Sequence, residues 1–550
     1  MKHWHFLGIL GLFNALRKTK NTLVRHIFTS LLAIAWLLCV LVPSTHAQST
    51  TSGNASHTPP PLRFTVERFR VSGVNPLTPA DTGRILAPFL GEYSGLEGLV
   101  EAADTLESAI SQQGHSFHRV VLPPQTLKAG TVLLDVLVFR IGKITVNNNK
   151  HFSKENVLAS LPALKPGEVP RTQLLSSQRH VANQHPSKKI ELRFKESQQL
   201  RAIDAVVDVD DSDPRNLFIG LNNTGNEATG HYRATFGFQH SNVSGNDDQF
   251  STSFTLSPTE LNKVKQFGAN YSYPLYALGG IASVYYTKSD VDSGTVADVF
   301  EVSGAGRFIG ASYTHFLQRR GAYTHTLSAS VDDKLFDNNV DFLGLPLGVD
   351  VRSRPVTLSY RGTYEHAVGL FGGHVSYARN LSSGRLNDKA NYAASRFGAD
   401  ANWDVLRFGA SADLRVFDDW LLRWRGDGQI ADEPLISGEQ FGVGGSRSVR
   451  GYGEREVSGD SGLFTSLEAW SPDFYEGARA IGFVDLGRFH SRNIAAGEKD
   501  SDSLASIGVG LRWFWRNSVS IEADLARTLS AAGTHRGGEY KVHFNAFYRY

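Results

Sequence analysis

The most constraining feature of this chain is an alternation. From about Asn216 to Tyr550, apolar and polar residues take turns with a period of two, segment after segment. Tyr232, Ala234, Phe236 and Phe238 fall on one face of an extended segment, with Arg233, Thr235 and Gln239 on the other. Trp420, Leu422 and Trp424 oppose Arg423 and Arg425, and Ile521, Ala523 and Leu525 oppose Glu522 and Asp524. At the end of the chain, Tyr540, Val542, Phe544, Tyr548 and Tyr550 oppose Lys541, His543, Asn545 and Arg549. Successive side chains of a strand point to opposite faces, so this pattern specifies strands with one dry and one wet face. A sandwich of two sheets also alternates. Here aromatic residues recur near strand ends, as in the girdles of a lipid-facing wall around a polar lumen. A strand that crosses a membrane takes about 10 residues, and about 20 with its share of connections, which gives about 16 strands. Backbone groups in lipid must all be paired, so such a sheet has to close on itself. The expected fold of residues 216–550 is a transmembrane antiparallel β-barrel.

The region before the barrel reads differently. Lys18, Lys20 and Arg25 precede an apolar core from about Ile27 to Val42, and Pro43 and Thr45-His46-Ala47 follow as a break and a small-x-small cleavage pattern. Residues 1–47 are read as a signal peptide, because the apolar core is short for a retained span. The single cysteine, Cys39, lies inside it, so the mature chain is expected to carry no disulfide and no thiolate metal site. Residues 48–63 are rich in Ser, Thr and Pro and read as a flexible linker with no stable helix between Gln48 and Pro61.

Two mixed α+β modules follow, at 64–141 and 142–209. In the first, Phe64, Val66, Phe69 and Val71 suggest a strand, and Leu99, Ala103, Leu106 and Ile110 fall at helical spacing with Gly114 as a stop. Val120 to Leu122 and Val132 to Phe139 read as strands. The second repeats this order more loosely, with Ser153 as the N-cap of a short helix through Leu161, a helix from about Thr172 to Asn183, and strands at Ile190–Phe194 and Ile203–Val209. Asp208, Asp210, Asp211 and Asp213, with Pro214, read as a solvated linker. An acidic run can bind calcium, but the EF-hand spacing is missing.

The charge balance of +2, without a clustered basic excess, argues against a nucleic-acid partner. Gly442-x-Gly444 and Gly304-x-Gly306 lack the strand-to-helix setting of a nucleotide site and read as loop glycines. The 19 histidines are scattered, with no HExxH and no G-x-S-x-G elbow. No enzyme activity, cofactor or metal is expected.

Several stretches resemble the two-partner secretion transporters, the TpsB branch of the Omp85 superfamily that includes the haemolysin secretion/activation proteins. Asn222-Asn-Thr-Gly225 followed by Thr229-Gly230 is similar to the segment that opens their barrel, and Asn270-Tyr-Ser-Tyr-Pro-Leu275 to an early barrel strand. The modules at 64–141 and 142–209 resemble paired POTRA domains, and His185-Pro-Ser-Lys-Lys-Ile-Glu-Leu192 looks like part of the second. The most specific matches are Val449-Arg450-Gly451-Tyr452 and Gly482-Phe483-Val-Asp485-Leu-Gly487. The resemblance implies that the tetrad is the tip of a loop, near 440–456, folded into the lumen, and that Arg450 meets Asp485 on the barrel wall.

It implies, further, an outer-membrane pore in contact with lipid, with POTRA domains in the periplasm. The pore recognises the N-terminal secretion domain of a partner exoprotein (adhesin, cytolysin or haem-acquisition type) and passes it to the cell surface. Tyr548 and Tyr550 would be the end read by the barrel assembly machinery, where Phe is the usual last residue. The alternative within the superfamily is an assembly factor that inserts other barrels; two modules rather than a longer array favour secretion. A solute porin would carry no periplasmic modules.

Overall fold

The computed structural model describes residues 63–550 apart from 228, 291–293, 297–299, 303–304, 338–340, 343–344, 347–348, 418, 495–498 and 517. The expected signal peptide and most of the linker, with the absence of a helix in it, lie outside the described residues.

Both N-terminal modules are built on one plan. In the first, the strand Thr131–Val138 lies between Arg68–Gly73, parallel to it, and His118–Val121, antiparallel to it. Helices Pro79–Leu86 and Glu97–Gln112 bury Leu86, Ala103, Leu106 and Ile110 against Leu134 and Val136. In the second, Ala202–Asp211 lies between Arg140–Asn147, parallel, and Lys188–Glu196, antiparallel. Ser153 caps the helix Lys154–Ala159, its hydroxyl accepting the Asn156 N–H at 3.1 Å. Thr172–Ala182 is the second helix, and Val157, Leu175, Ile190 and Val207 share the core. A parallel pair needs a long crossover, which explains why each module places its helices between the two strands of its parallel pair; the first module adds a small antiparallel pair, Arg63–Val66 with Gly91–Ser94.

The acidic run is not a solvated linker. Asp208 and Asp211 belong to the strand Ala202–Asp211. Asp211 accepts the backbone N–H groups of Lys150, His151 and Phe152 at 2.9–3.1 Å, and Asp208 takes Asn147 and Arg193. Local acid density concealed single carboxylates that each satisfy buried or turn donors.

Residues 215–549 form a closed antiparallel barrel. Its seventeen hydrogen-bonded segments make sixteen strands, because Val351–Ser353 and Pro355–His366 both pair with Tyr323–Phe336 and are one strand interrupted at Arg354. The last strand, Tyr540–Arg549, pairs with the first, Arg215–Asn222. Asn223 extends that seam: its amide donates to Val542 O at 2.7 Å and its oxygen accepts Phe544 N–H at 2.8 Å. Leu217 and Tyr550 exchange backbone hydrogen bonds at the other end.

Leu217, Ile219, Phe236, Phe254, Ile309, Leu358, Val484, Leu486 and Val509 point outward and are exposed. A continuous apolar belt of this kind is tolerated against lipid and not against water. The wall turns polar groups inward, among them Thr235, Thr255, Gln429, Asp485 and Asp524, all buried.

Helical structure does not vanish after residue 216. The loop between the ninth and tenth strands, Gly369–Asn380 and Asp404–Arg415, holds a short helix, Lys389–Ser395, capped by Asp388. Tyr392 from it, Trp403, and Leu435 and Ile436 from a later loop close a core with Phe308, Phe336 and Val405 of the wall.

Candidate functional site

The loop 432–460 joins the eleventh strand, Leu421–Ala431, to the twelfth, Ser461–Trp470. It begins as a hairpin, Phe441–Val443 against Val457–Gly459. Its base is fixed by buried charges. Glu439 accepts from Lys334 at 3.0 Å and Arg407 at 3.2 Å, and Asp460 takes Arg396 at 3.0 Å. The tip turns at Gly451, whose φ of +95° is a conformation that a side chain disfavours. Its N–H donates to His543 Nε2 at 2.9 Å. Val443 and Val449 seat the tip on the wall where Gly487 leaves room: a Cβ there would lie 2.4 Å from Val443 and 2.8 Å from Val449. The Tyr452 hydroxyl lies 2.7 Å from Ser530 O and 3.0 Å from Ala505 O.

Arg450 is 1% exposed. Its Nε and Nη2 donate to the two oxygens of Asp485 at 2.7 and 2.8 Å, and its backbone N–H to Asp485 at 3.1 Å. Nη1 meets Glu468 at 2.8 Å and stands 3.5 Å from Asp524. Ser466 donates to Asp485 at 2.6 Å, and Arg512 holds Asp524 with two bonds of 2.7 and 2.9 Å. The guanidinium lies 3.4 Å from the centroid of the Phe483 ring. A planar fork with fixed donors suits paired carboxylates and an aromatic face at once, which a point charge does not. Removing one partner from such a buried set costs about 3–5 kcal/mol, because the other charge is left uncompensated. The arrangement therefore fixes one loop position in the lumen; beside it is a cavity of about 420 Å³ lined by Arg423, Arg425, Glu468 and Asp524 among others.

The residues named from sequence fall into three groups. Val449, Arg450, Gly451, Tyr452, Phe483, Asp485 and Gly487 are brought together in the lumen. Gly482 is not: it points out of the wall, and a Cβ added to it would touch nothing within 4 Å. Tyr548 and Tyr550 are exposed at the seam end of the last strand, away from the loop. The structure adds Glu468, Asp524 and Ser466 as partners of Arg450, and His543 as the partner of Gly451. Their signal was present as inward positions of alternating strands, but alternation says only that a residue faces the lumen, not what it meets there.

Residues 202–513, more than half of the chain, match the haemolysin secretion/activation protein ShlB/FhaC/HecB family, and residues 64–138 match the ShlB-type POTRA domain. Among curated proteins, the heme/hemopexin transporter protein HuxB of Haemophilus influenzae (strain 86-028NP) is 22% identical over 475 residues, covering 82% of this chain and 80% of the relative. The outer membrane transporter CdiB of Escherichia coli (strain 536) is 23% identical, covering 78% and 73%. Among solved structures, CdiB from Escherichia coli shares the fold with a TM-score of 0.72 at 19% identity over 93% of both chains. CdiB from Acinetobacter baumannii does so at 0.64 and 17%, over 96% of this chain and 97% of that one. The chain belongs to the haemolysin secretion/activation protein family, two-partner secretion transporters of the bacterial outer membrane that form a pore for a partner protein and keep their POTRA domains in the periplasm.

Proposed function

We propose that the POTRA modules of this chain capture the N-terminal secretion domain of one unfolded exoprotein, and that the exoprotein then crosses the barrel lumen past the loop 432–460 and folds at the surface. The observation that carries the reading is the loop tip itself: the ion pairs of Arg450 with Asp485 and Glu468, and the apolar seat of Val443 and Val449, hold a long loop at one place inside the lumen, beside a cavity of about 420 Å³. Open strand edges such as Lys188–Glu196 of the second module suit capture of an extended chain by β-augmentation. The outer wall is in contact with lipid, and the strand ending at Tyr550 is the segment offered to the barrel assembly machinery. The relatives include a heme/hemopexin transporter and CdiB proteins, so haem acquisition is one of the exoprotein classes to test first. The test compares the proteins released by cells with and without this chain. Loss of one large polypeptide from the medium, with its accumulation or degradation in the periplasm, is the expected result. Unchanged release, with outer-membrane barrels depleted instead, would favour an assembly factor.

A further inference from the structure

The second POTRA module meets the barrel through side chains that are polar and yet dry. Lys188 opens the module's strand Lys188–Glu196, and Asp247 lies in the turn between the second and third barrel strands, Arg233–His240 and Gln249–Leu256. Each is 1% exposed. Lys188 Nζ donates to the two oxygens of Asp247 at 2.7 and 2.6 Å, and lies 2.7 Å from Asn156 Oδ1 and 2.9 Å from Ser160 Oγ. Asp247 also accepts from Ser160 at 2.8 Å and from Tyr276, in the next turn on that side, at 2.5 Å. The Asn156 amide donates to Gly245 O at 2.7 Å. Beside them the Ser187 and Ser241 hydroxyls stand 2.9 Å apart, and the His185 ring meets Ser241 O.

These partners come from a helix and a strand of the module and from two turns of the barrel. A buried ion pair is weak evidence for stability; its best-attested use is to specify one geometry among several. An apolar contact of the same size tolerates sliding and rotation, whereas this set of donors and acceptors is complete at one angle only. The cluster shares no residue with the Arg450 site.

We propose that Lys188 and Asp247 are positioning residues for transport: their pairing sets the second POTRA module at one angle to the pore mouth, so that a captured chain enters the lumen. This rests on the transport reading above. The full-length chain carries spin labels at Lys195→Cys and Glu476→Cys, exposed positions on the module and on another barrel turn. The distance between them is measured in lipid, and exoprotein release is measured in cells. The unaltered pair gives one narrow distance. Lys188→Met, which leaves Asp247 charged and dry, broadens it and cuts release about tenfold or more, while heat-modifiable gel mobility shows the barrel still folded. Lys188→Met with Asp247→Asn removes both charges, and Asn tolerates the φ of +62° at that position. It restores the narrow distance and brings release back to within about threefold. Where Lys188→Met fails to fold, Tyr276→Phe, which drops one hydrogen bond, gives a smaller broadening of the same kind. The proposal is overturned by a narrow distance in Lys188→Met, by full release despite a broad distance, or by a double variant that stays broad. The distance needs no exoprotein, so it judges the pair separately from the transport reading.

Discussion

The buried ion pair in the lumen and the buried ion pair at the joint between the second module and the barrel are built differently. In the lumen, Arg450 has three carboxylates within reach and an aromatic ring under its plane. At the periplasmic joint, Lys188 has one carboxylate and two neutral oxygens. The lumen site shares its charges among several groups, Asp524 being held by Arg512 as well as standing near Arg450, so the loop tip can lose a contact and keep others. The joint has one charge for one charge, so the loss of either member leaves a bare ion in a dry place.

The largest effect separates the two sites altogether. Deleting residues 64–209 removes Lys188 and the whole joint but leaves the closed sheet and the Arg450 cluster intact. The barrel is expected to insert, with normal heat-modifiable mobility, and exoprotein release to stop. Release at normal levels from that chain would remove the recognition role from the modules and make the joint irrelevant.

Next in size is the lumen pair. Arg450→Ala leaves Asp485 and Glu468 facing each other without their cation, a loss of about 3–5 kcal/mol from the seated tip. Release is expected to fall at least about tenfold with the barrel still folded. Asp485→Ala should resemble it, and the double change should cost little more than either, since coupled residues are not additive. Additive losses would mean that the two act separately. Arg450→Lys is expected to fall between Arg450→Ala and the unaltered chain, because a lysine keeps the charge and loses the fork and the ring contact.

How legible each site was in the sequence follows from the same difference. Arg450 sits in a run of motif residues, and Asp485 in a second run on one strand, so both could be named before any fold was known. Alternation likewise exposed the barrel, because the period of two is imposed on every spanning segment by the lipid, and the length of the region at about 20 residues per strand led to its number of strands. The joint has no such run. Asn156, Ser160, Lys188, Asp247 and Tyr276 are spread over four elements, and each reads alone as an ordinary cap, strand or turn residue. Asp211 went the other way: a run of acids suggested a wet linker, and the strand pairing of Ala202–Asp211 turned it into a set of backbone acceptors. The helix Lys389–Ser395 was hidden because seven residues are too few for helical periodicity to stand out in a loop.

The smallest expected effect tests whether the joint responds to mild acid. Burial holds the His185 imidazole below its usual pKa, as do the charges of Lys188 and Lys189, while Asp247 and the Ser241 carbonyl pull the other way. Its Nδ1 accepts the Ser187 N–H at 3.2 Å, which a protonated ring cannot do. A released module would leave His185 near its ordinary value of about 6.5. The docked form therefore binds fewer protons below about pH 6.5, so the contribution of His185 is complete above that value and is lost as the pH falls through it. Asp247 does not titrate in this window. Burial pushes its carboxyl up, but the Lys188 charge and the bonds from Lys188 and Tyr276 outweigh that and hold it below the ordinary carboxylate range, so its contribution is lost only in stronger acid. Between pH 7.5 and 5.5 the spin-label distance across the joint should broaden, and release should fall by no more than about twofold. His185→Gln should flatten that response without abolishing docking. A pH response that survives in His185→Gln would show that another group governs the joint.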